Sequence, residues 1–181
     1  MVHAILTFGH DALRRKARPV AQVDAGVKAL VEDMLETMRQ ARGLGLAAEQ
    51  IGREEAVCVI DVPREAEMPD WVDANAAIAM PLVLINPRIE AQQGKCRAQE
   101  GCLSFPEVYA QITRAESVTV AFLDLDGAPQ RIDAGGLLAR AIQHELDHLN
   151  GVLLVDRMSP AQRVASAGNL RRLRQRSRRS T

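Results

Sequence analysis

Apolar residues recur along the chain in two rhythms. After Asp24, Val27, Leu30, Val31, Met34, Leu35 and Met38 fall at i, i+3, i+4, i+7, i+8 and i+11. That stripe predicts an amphipathic helix capped by Asp24 and ending near Arg42 and Gly43. Residues 135–150 keep the same spacing, with Leu138, Ile142, Leu146 and Leu149 on one face and Gly151 at the C′ position. Ser159, Pro160 and Gln162 combine a capping-box spacing with proline at N1, so a last helix starts there. Its stripe of Ala161, Val164, Ala165 and Leu173 is sparse and predicts weak docking. The second rhythm belongs to strands. Residues 57–62 read as a buried strand, and residues 82–85 as a short one stopped by Asn86 and Pro87. Residues 117–125 turn at Asp126 and Gly127 into 130–133, a hairpin. Residues 64–79 are irregular and acidic and read as a surface loop. Strand pairs separate the helices instead of alternating strictly with them. The expected class is therefore α+β: mainly antiparallel sheets around the 135–150 helix, with a C-terminal helix.

Composition narrows this picture. A chain of 181 residues fits one domain and buries enough surface to fold without a disulfide or structural-metal staple. Only 3% of residues are aromatic, so the core must come from Leu, Ile, Val, Ala and Met. The start, Met1-Val2-His3-Ala4-Ile5-Leu6, lacks a basic region followed by a long apolar run, and no apolar stretch is long enough to span a bilayer. No signal peptide and no membrane contact are expected, and the expected location is cytoplasmic. Cys58, Cys96 and Cys102 then read as free thiols or a metal ligand in a reducing compartment. The formal net charge of zero hides an asymmetry: residues 170–181 carry Arg171, Arg172, Arg174, Arg176, Arg178 and Arg179 and no acid. Such a tail suits an anionic surface or nucleic acid, or is simply a solvated terminus.

Candidate chemistry sits on the predicted central helix, in His144-Glu145-Leu146-Asp147-His148. Imidazoles at i and i+4 share one helix face and can bind one metal ion. Glu145 beside them can take a proton from a water that the ion activates. HExxH alone would suggest a zinc endopeptidase, but a third ligand is missing downstream. After His148 there is no other His and no Glu, Asp156 is the only acid, and Leu154 stands where the metzincin pattern needs its third His. An upstream ligand is required, and Cys102 in Glu100-Gly101-Cys102-Leu103-Ser104 is the best candidate, since Gly101 permits close approach and a thiolate suits a borderline-soft metal. Taken by itself, Cys102 reads more simply as a small buried hydrophobe. The stretch Gly43-Leu44-Gly45-Leu46-Ala47-Ala48-Glu49-Gln50 can lie close to a ligand and offers the Gln50 amide as donor, though alone it reads as a helix stop and turn.

Together the three stretches resemble the signature motifs of the peptide deformylases. GLGLAAEQ resembles GxGxAAxQ, EGCLS is identical to the family's EGCLS, and QHELDHLNG resembles QHExDH, in the same order and spacing. ILTFGHDALRRKARPV, VEDMLETM, LINPRI and VLLVDRMS extend the resemblance over nearly the whole chain except residues 64–79 and the extreme tail. The resemblance implies an enzyme that removes the formyl group from N-terminal formyl-methionine of nascent polypeptides and releases formate. It implies one divalent metal ion, usually Fe2+, with Zn2+, Ni2+ or Co2+ as alternatives, held by Cys102, His144 and His148. Glu145 would be general base and then general acid, and Gln50 and the Leu103 N–H would stabilise the oxyanion. Gly45 and Gly101 would lie along the peptide, and Leu44 and Ala141 would line the methionine pocket. Glu100 would pair with Arg114 beneath the site. Residues 1–158 would form the catalytic domain, with 159–181 as a helix and basic tail of the same domain. A monomer is expected, with a ribosome contact through the tail. Glu49, Phe105 and Glu107 depart from the residues common in the family, which bears on peptide preference and not on the reaction. Two other readings compete: an HExxH endopeptidase, which lacks a third ligand, and an RNA- or ribosome-binding module, which leaves Glu145 and Gln50 unexplained.

Overall fold

The computed structural model describes residues 1–177 of the chain. Five strands form one antiparallel sheet in the order β1 (Gly45–Ala47), β2 (Val57–Ile60), β3 (Leu82–Gln93), β6 (Ser117–Leu123), β7 (Pro129–Gly135). A separate antiparallel pair joins β4 (Cys96–Gly101) to β5 (Tyr109–Arg114). The helices are α1 (Ala25–Gln40), α2 (Pro69–Val72), α3 (Gly136–Leu149), α4 (Leu154–Arg157), α5 (Pro160–Ala165) and α6 (Ala167–Ser177). The α+β class with mainly antiparallel sheet is the one the sequence predicts. Among the described residues no helix is long and apolar enough to cross a membrane.

Successive β2 side chains face opposite sides of the sheet. Val57 and Val59 pack with Leu30, Val31, Met34 and Met38 of α1. Cys58 and Ile60 pack with Leu138, Ala139, Ile142 and Leu146 of α3. The sheet is thus covered on both faces, which is why residues 57–60 are all apolar and all fully buried. Each such side chain contributes roughly 1.5–3 kcal/mol by leaving water. Asp24 caps α1 by accepting from the Val27 N–H, as its sequence position predicts. Gly151 adopts φ 70° and ends α3 sharply, with its N–H donating to the His148 carbonyl.

Several expectations need correction. The strand predicted over 82–85 does not stop at Asn86 and Pro87 but continues to Gln93. Asn86 takes φ 52°, its amide bonds the Val20 N–H and carbonyl, and the register slips between Ile85 and Arg88. Pro87 is therefore tolerated at a bulge, where no ladder hydrogen bond is required. Residues 64–79 are not a bare loop. They contain a 3-10 turn at Arg64–Ala66 and α2, and Glu67 accepts from the backbone N–H of Leu137 and Leu138, capping α3. The β4–β5 hairpin and β1 have no counterpart among the predicted strands. The last helix is two helices. α5 ends at Ser166, whose N–H bonds the Gln162 carbonyl, and α6 restarts with a new phase. Val164, placed on the docking stripe, is 78% exposed, whereas Leu170 and Leu173 enter a cluster with Phe8, Phe105 and Leu153. Arg174 stacks on the Phe8 ring at 5.0 Å. The docking is firmer than a stripe counted through from Ser159 predicts. Arg178 and Arg179 of the basic tail lie outside the described residues.

Candidate active site

α3 buries its Leu138, Ile142 and Leu146 stripe in the core and turns His144 and His148 away from it, with ring centroids 5.1 Å apart. The turn that follows β4 brings Cys102 to this face, its Sγ 3.2 Å from His148 Nε2. Ligand atoms of Cys102, His144 and His148 all lie within 4.8 Å of one another. A tetrahedral ion with bonds of ~2.0–2.3 Å needs ligand separations of about 3.3–3.7 Å, so the cluster fits one ion of borderline softness.

The ligand nitrogens are sorted by their neighbours. His144 Nδ1 lies 3.2 Å from Glu100 Oε2, which leaves Nε2 for a metal. His148 offers Nε2, and its buried Nδ1 has no partner among the described residues. Glu100 is fixed in turn by Arg114 through two bonds of 2.6 and 2.9 Å. Arg114 also donates to Asp147 at 2.9 Å, and Asp147 accepts from Arg157. Burial alone would raise the Glu100 pKa, but hydrogen bonds from His144 and Arg114 outweigh it and bring it to about 2. Burial also opposes the charged form of His144, yet hydrogen bonds with Cys102 and Glu100 lift its pKa well above the ordinary imidazole value. For His148, burial and the neighbouring His144 and Arg114 charges push the pKa well down, which keeps a neutral ring.

Glu145 is 4% exposed, and its Oε2 has no hydrogen-bond partner among the described residues. Burial pushes its carboxyl up to about 7 against the opposing pull of His144 and Arg114, and the charges on Glu100 and Asp147 push the same way as burial. A Cβ on Gly45 would collide with Glu145 Oε1, so only glycine lets β1 pass this close. Gln50 has a fixed amide orientation: its Oε1 accepts from the Ala47 N–H at 2.9 Å, and its Nε2 donates to Ser104 Oγ at 3.1 Å and sits 3.7 Å from Cys102 Sγ. The Leu103 N–H has no backbone acceptor among the described residues.

A cavity of about 610 Å³ opens in front of this cluster. Leu44, Gly45 and Gln50 form one wall, Glu100, Gly101, Cys102 and Leu103 a second, and Ala141, His144 and Glu145 a third. Of the residues singled out in the sequence, Arg114 and His148 do not line it; Arg114 lies behind, holding Glu100 and Asp147. Sequence reasoning missed Asp147 and Ser104. Both sit inside the motifs, but their roles depend on Arg114, Arg157 and Gln50, which are distant in sequence. It also missed Arg42, Tyr109 and Arg140, which line the cavity at positions with no motif signal. Glu49, noted as a departure, is 1% exposed with neither carboxylate oxygen bonded.

An HExxH helix facing an upstream cysteine defines a metal-dependent hydrolase class distinct from the HExxH endopeptidases. The polypeptide deformylase family matches residues 2–164, and the chain belongs to that family. A peptide deformylase from Nitrosococcus oceani is 48% identical over 159 residues, 88% of each chain. The structure resembles a peptide deformylase from Legionella pneumophila (TM-score 0.83, 38% identity, 99% of each chain). It also resembles one from Thermus thermophilus (TM-score 0.84, 36% identity, 97% of this chain and 99% of that one). The family removes the formyl group from N-formyl-methionine of nascent peptides in a metal-dependent reaction.

Proposed function

We propose that this chain deformylates nascent polypeptides with Cys102, His144 and His148 as the ligands of one divalent metal ion. The observation that carries this reading is the thiolate and two imidazoles gathered within 4.8 Å, with Cys102 and His144 on the cavity wall and His148 buried behind them. The donor set suits Fe2+, which we take as the physiological ion, and equally accepts Zn2+, Ni2+ or Co2+. When bound, the ion supplies Lewis acidity and makes a water nucleophilic near neutral pH.

The chain's own residues do the rest. Among the described residues β1 is an edge strand, paired only with β2, so an extended peptide can align along Gly45. Leu44 and Ala141 border the space for the methionine side chain, and Gly101 on the far wall leaves room for the Tyr109 ring, which a Cβ there would strike. Glu145 Oε2, buried and unbonded, accepts the proton of the attacking water and returns it to the departing amine nitrogen. Gln50 Nε2 and the Leu103 N–H donate to the oxygen of the former formyl group as it gains charge. Glu100 keeps His144 in the ligand tautomer, and Arg114 keeps Glu100 charged.

Residues 1–158 would carry the chemistry, with 159–181 in the same domain, a reading supported by Leu170 and Leu173 in the cluster beside the β4–β5 hairpin. Exposed Arg171, Arg172 and Arg174 on α6 suit a ribosomal RNA surface. We take the protein to be a cytoplasmic monomer. The test is anaerobically purified protein assayed for formate release from formyl-Met-Ala and for cleavage of the Met-Ala amide bond. Formate with an intact dipeptide supports the reading, and amide cleavage without formate replaces it with a peptidase.

A further inference from the structure

Two guanidinium groups on the cavity wall have no hydrogen-bond or ion-pair partner among the described residues. Arg140 lines the cavity, its Nε is buried, and that atom has no hydrogen-bond partner among the described residues. A buried donor left unpaired costs free energy, which is recovered when a ligand supplies the acceptor. Arg42 lines the same cavity from the turn after α1, and no described residue pairs with its side chain. The other charges of the wall do not neutralise them. Glu100 is occupied by Arg114 and His144, and Glu145 is buried below. Glu107 is exposed and is the unpaired carboxylate of the lining among the described residues. The wall thus offers two open arginines against one open acid.

Position says what they would meet. Arg140 precedes His144 by four residues, on the same helix face, so its backbone lies about 6 Å along the axis from the ligand residue. Its side chain leans further toward the helix N-terminus. An extended peptide advances about 3.3 Å per residue. Taking the peptide to run from the metal cluster toward the N-terminal end of α3, Arg140 lies level with the second or third residue of the nascent chain. The alternative, methionine itself, leaves the guanidinium unbonded.

We propose that Arg140, seconded by Arg42, is a specificity-determining residue that selects nascent chains with a carboxylate side chain one or two places after formyl-methionine. This rests on the deformylase reading above and names the substrate class of that same site. A planar guanidinium takes a carboxylate through two parallel hydrogen bonds, which gives direction as well as charge.

The test uses C-terminally amidated formyl peptides, so that the chain end brings no carboxylate. Asp is compared with isosteric Asn at position two and separately at position three, and formate release is followed for the metal-loaded full-length enzyme. The readout is the ratio of kcat/KM for Asp over Asn. A ratio of about 3–10 at one position is expected, falling as salt rises. Arg140→Gln should bring the ratio to about 1, and Arg140→Lys should keep part of it, a rescue that lost folding would not give. A ratio at or below one at both positions in the wild type overturns the proposal, as does a ratio unchanged in Arg140→Gln. Failure of the underlying reading looks different: no formate from either the Asp or the Asn peptide.

Discussion

Glu49 is a buried carboxyl and Glu100 a largely covered one, and they end in opposite states. Glu100 meets Arg114 and His144, and its pKa falls to about 2. Neither Glu49 carboxylate oxygen has a hydrogen-bond partner among the described residues, and burial, reinforced by the charges of Glu145 and Glu55, lifts its pKa to about 8. Depth alone therefore does not set charge in this molecule; the partners do. Glu145 stands between the two, buried like Glu49 but facing the cavity, with its pKa raised to about 7. A carboxyl poised there can both take and return a proton at neutral pH, whereas Glu100 is held ionised by its partners and Glu49 does not line the cavity.

The largest effect should come from the carboxyl that works. Glu145→Gln removes the proton acceptor while preserving shape, so kcat should fall by about 10²–10⁴ with metal content unchanged. Metal analysis and formate release on the same preparation check this. Wild-type turnover with full metal would remove Glu145 from the reaction.

Breaking the paired carboxyl comes next. Arg114→Met removes the cation shared by Glu100 and Asp147 and leaves them only His144 and Arg157. Removing one partner of a buried pair costs roughly 3–5 kcal/mol. Urea unfolding should show that loss, and metal affinity should fall with it because Glu100 no longer holds His144 steadily. A loss under about 1 kcal/mol would mean that the network is not worth what its geometry suggests.

Glu49 should behave in the opposite sense. Its folded pKa lies above its unfolded value of 4.5, so its contribution to stability is full below pH 4.5 and disappears as pH rises through about 8. Glu49→Gln cannot ionise, so it should gain on the wild type over that window, on the order of 2–4 kcal/mol by pH 8. Denaturation of both proteins at pH 5 and pH 8 measures it. A constant difference between the two pH values would show that Glu49 is ionised throughout.

The smallest effect on chemistry should come from α6. Arg171→Gln with Arg172→Gln should leave turnover of a short formyl peptide nearly unchanged and weaken ribosome binding at low salt, since each lost phosphate contact reduces the salt slope by about one. Equal ribosome binding by both proteins, in the presence of heparin competitor, would detach the tail from that role. Point substitution is the cleaner instrument, because truncation after Asn169 also removes the buried Leu170 and Leu173.

What could be read from the sequence follows from what is local. Asp24, the α1 stripe, the 117–133 hairpin and Gly151 depend on neighbours within a few residues, and each lies where periodicity and turn chemistry put it. The two histidine ligand candidates follow from a helical i, i+4 spacing. Cys102 follows from the lack of a downstream ligand, and it outweighs a buried-hydrophobe reading only through the resemblance. Interactions across the chain were not legible. Asn86 continues β3 because its amide reaches Val20, 66 residues away, and Glu67 caps α3 across 70 residues. The break at Ser166 between α5 and α6 was not legible either: Val164 turns to solvent, while Leu173, counted on the same stripe, is buried. Asp147 gains its role from Arg114 and Arg157, neither of which any spacing rule connects to it.

The most direct test of the central claim is X-ray absorption spectroscopy of the zinc-loaded protein. The account predicts one sulfur near ~2.3 Å and two imidazole nitrogens near ~2.0–2.1 Å, with the sulfur signal lost in Cys102→Ser. Coordination by nitrogen and oxygen alone in the wild type, or a sulfur that survives Cys102→Ser, would contradict it.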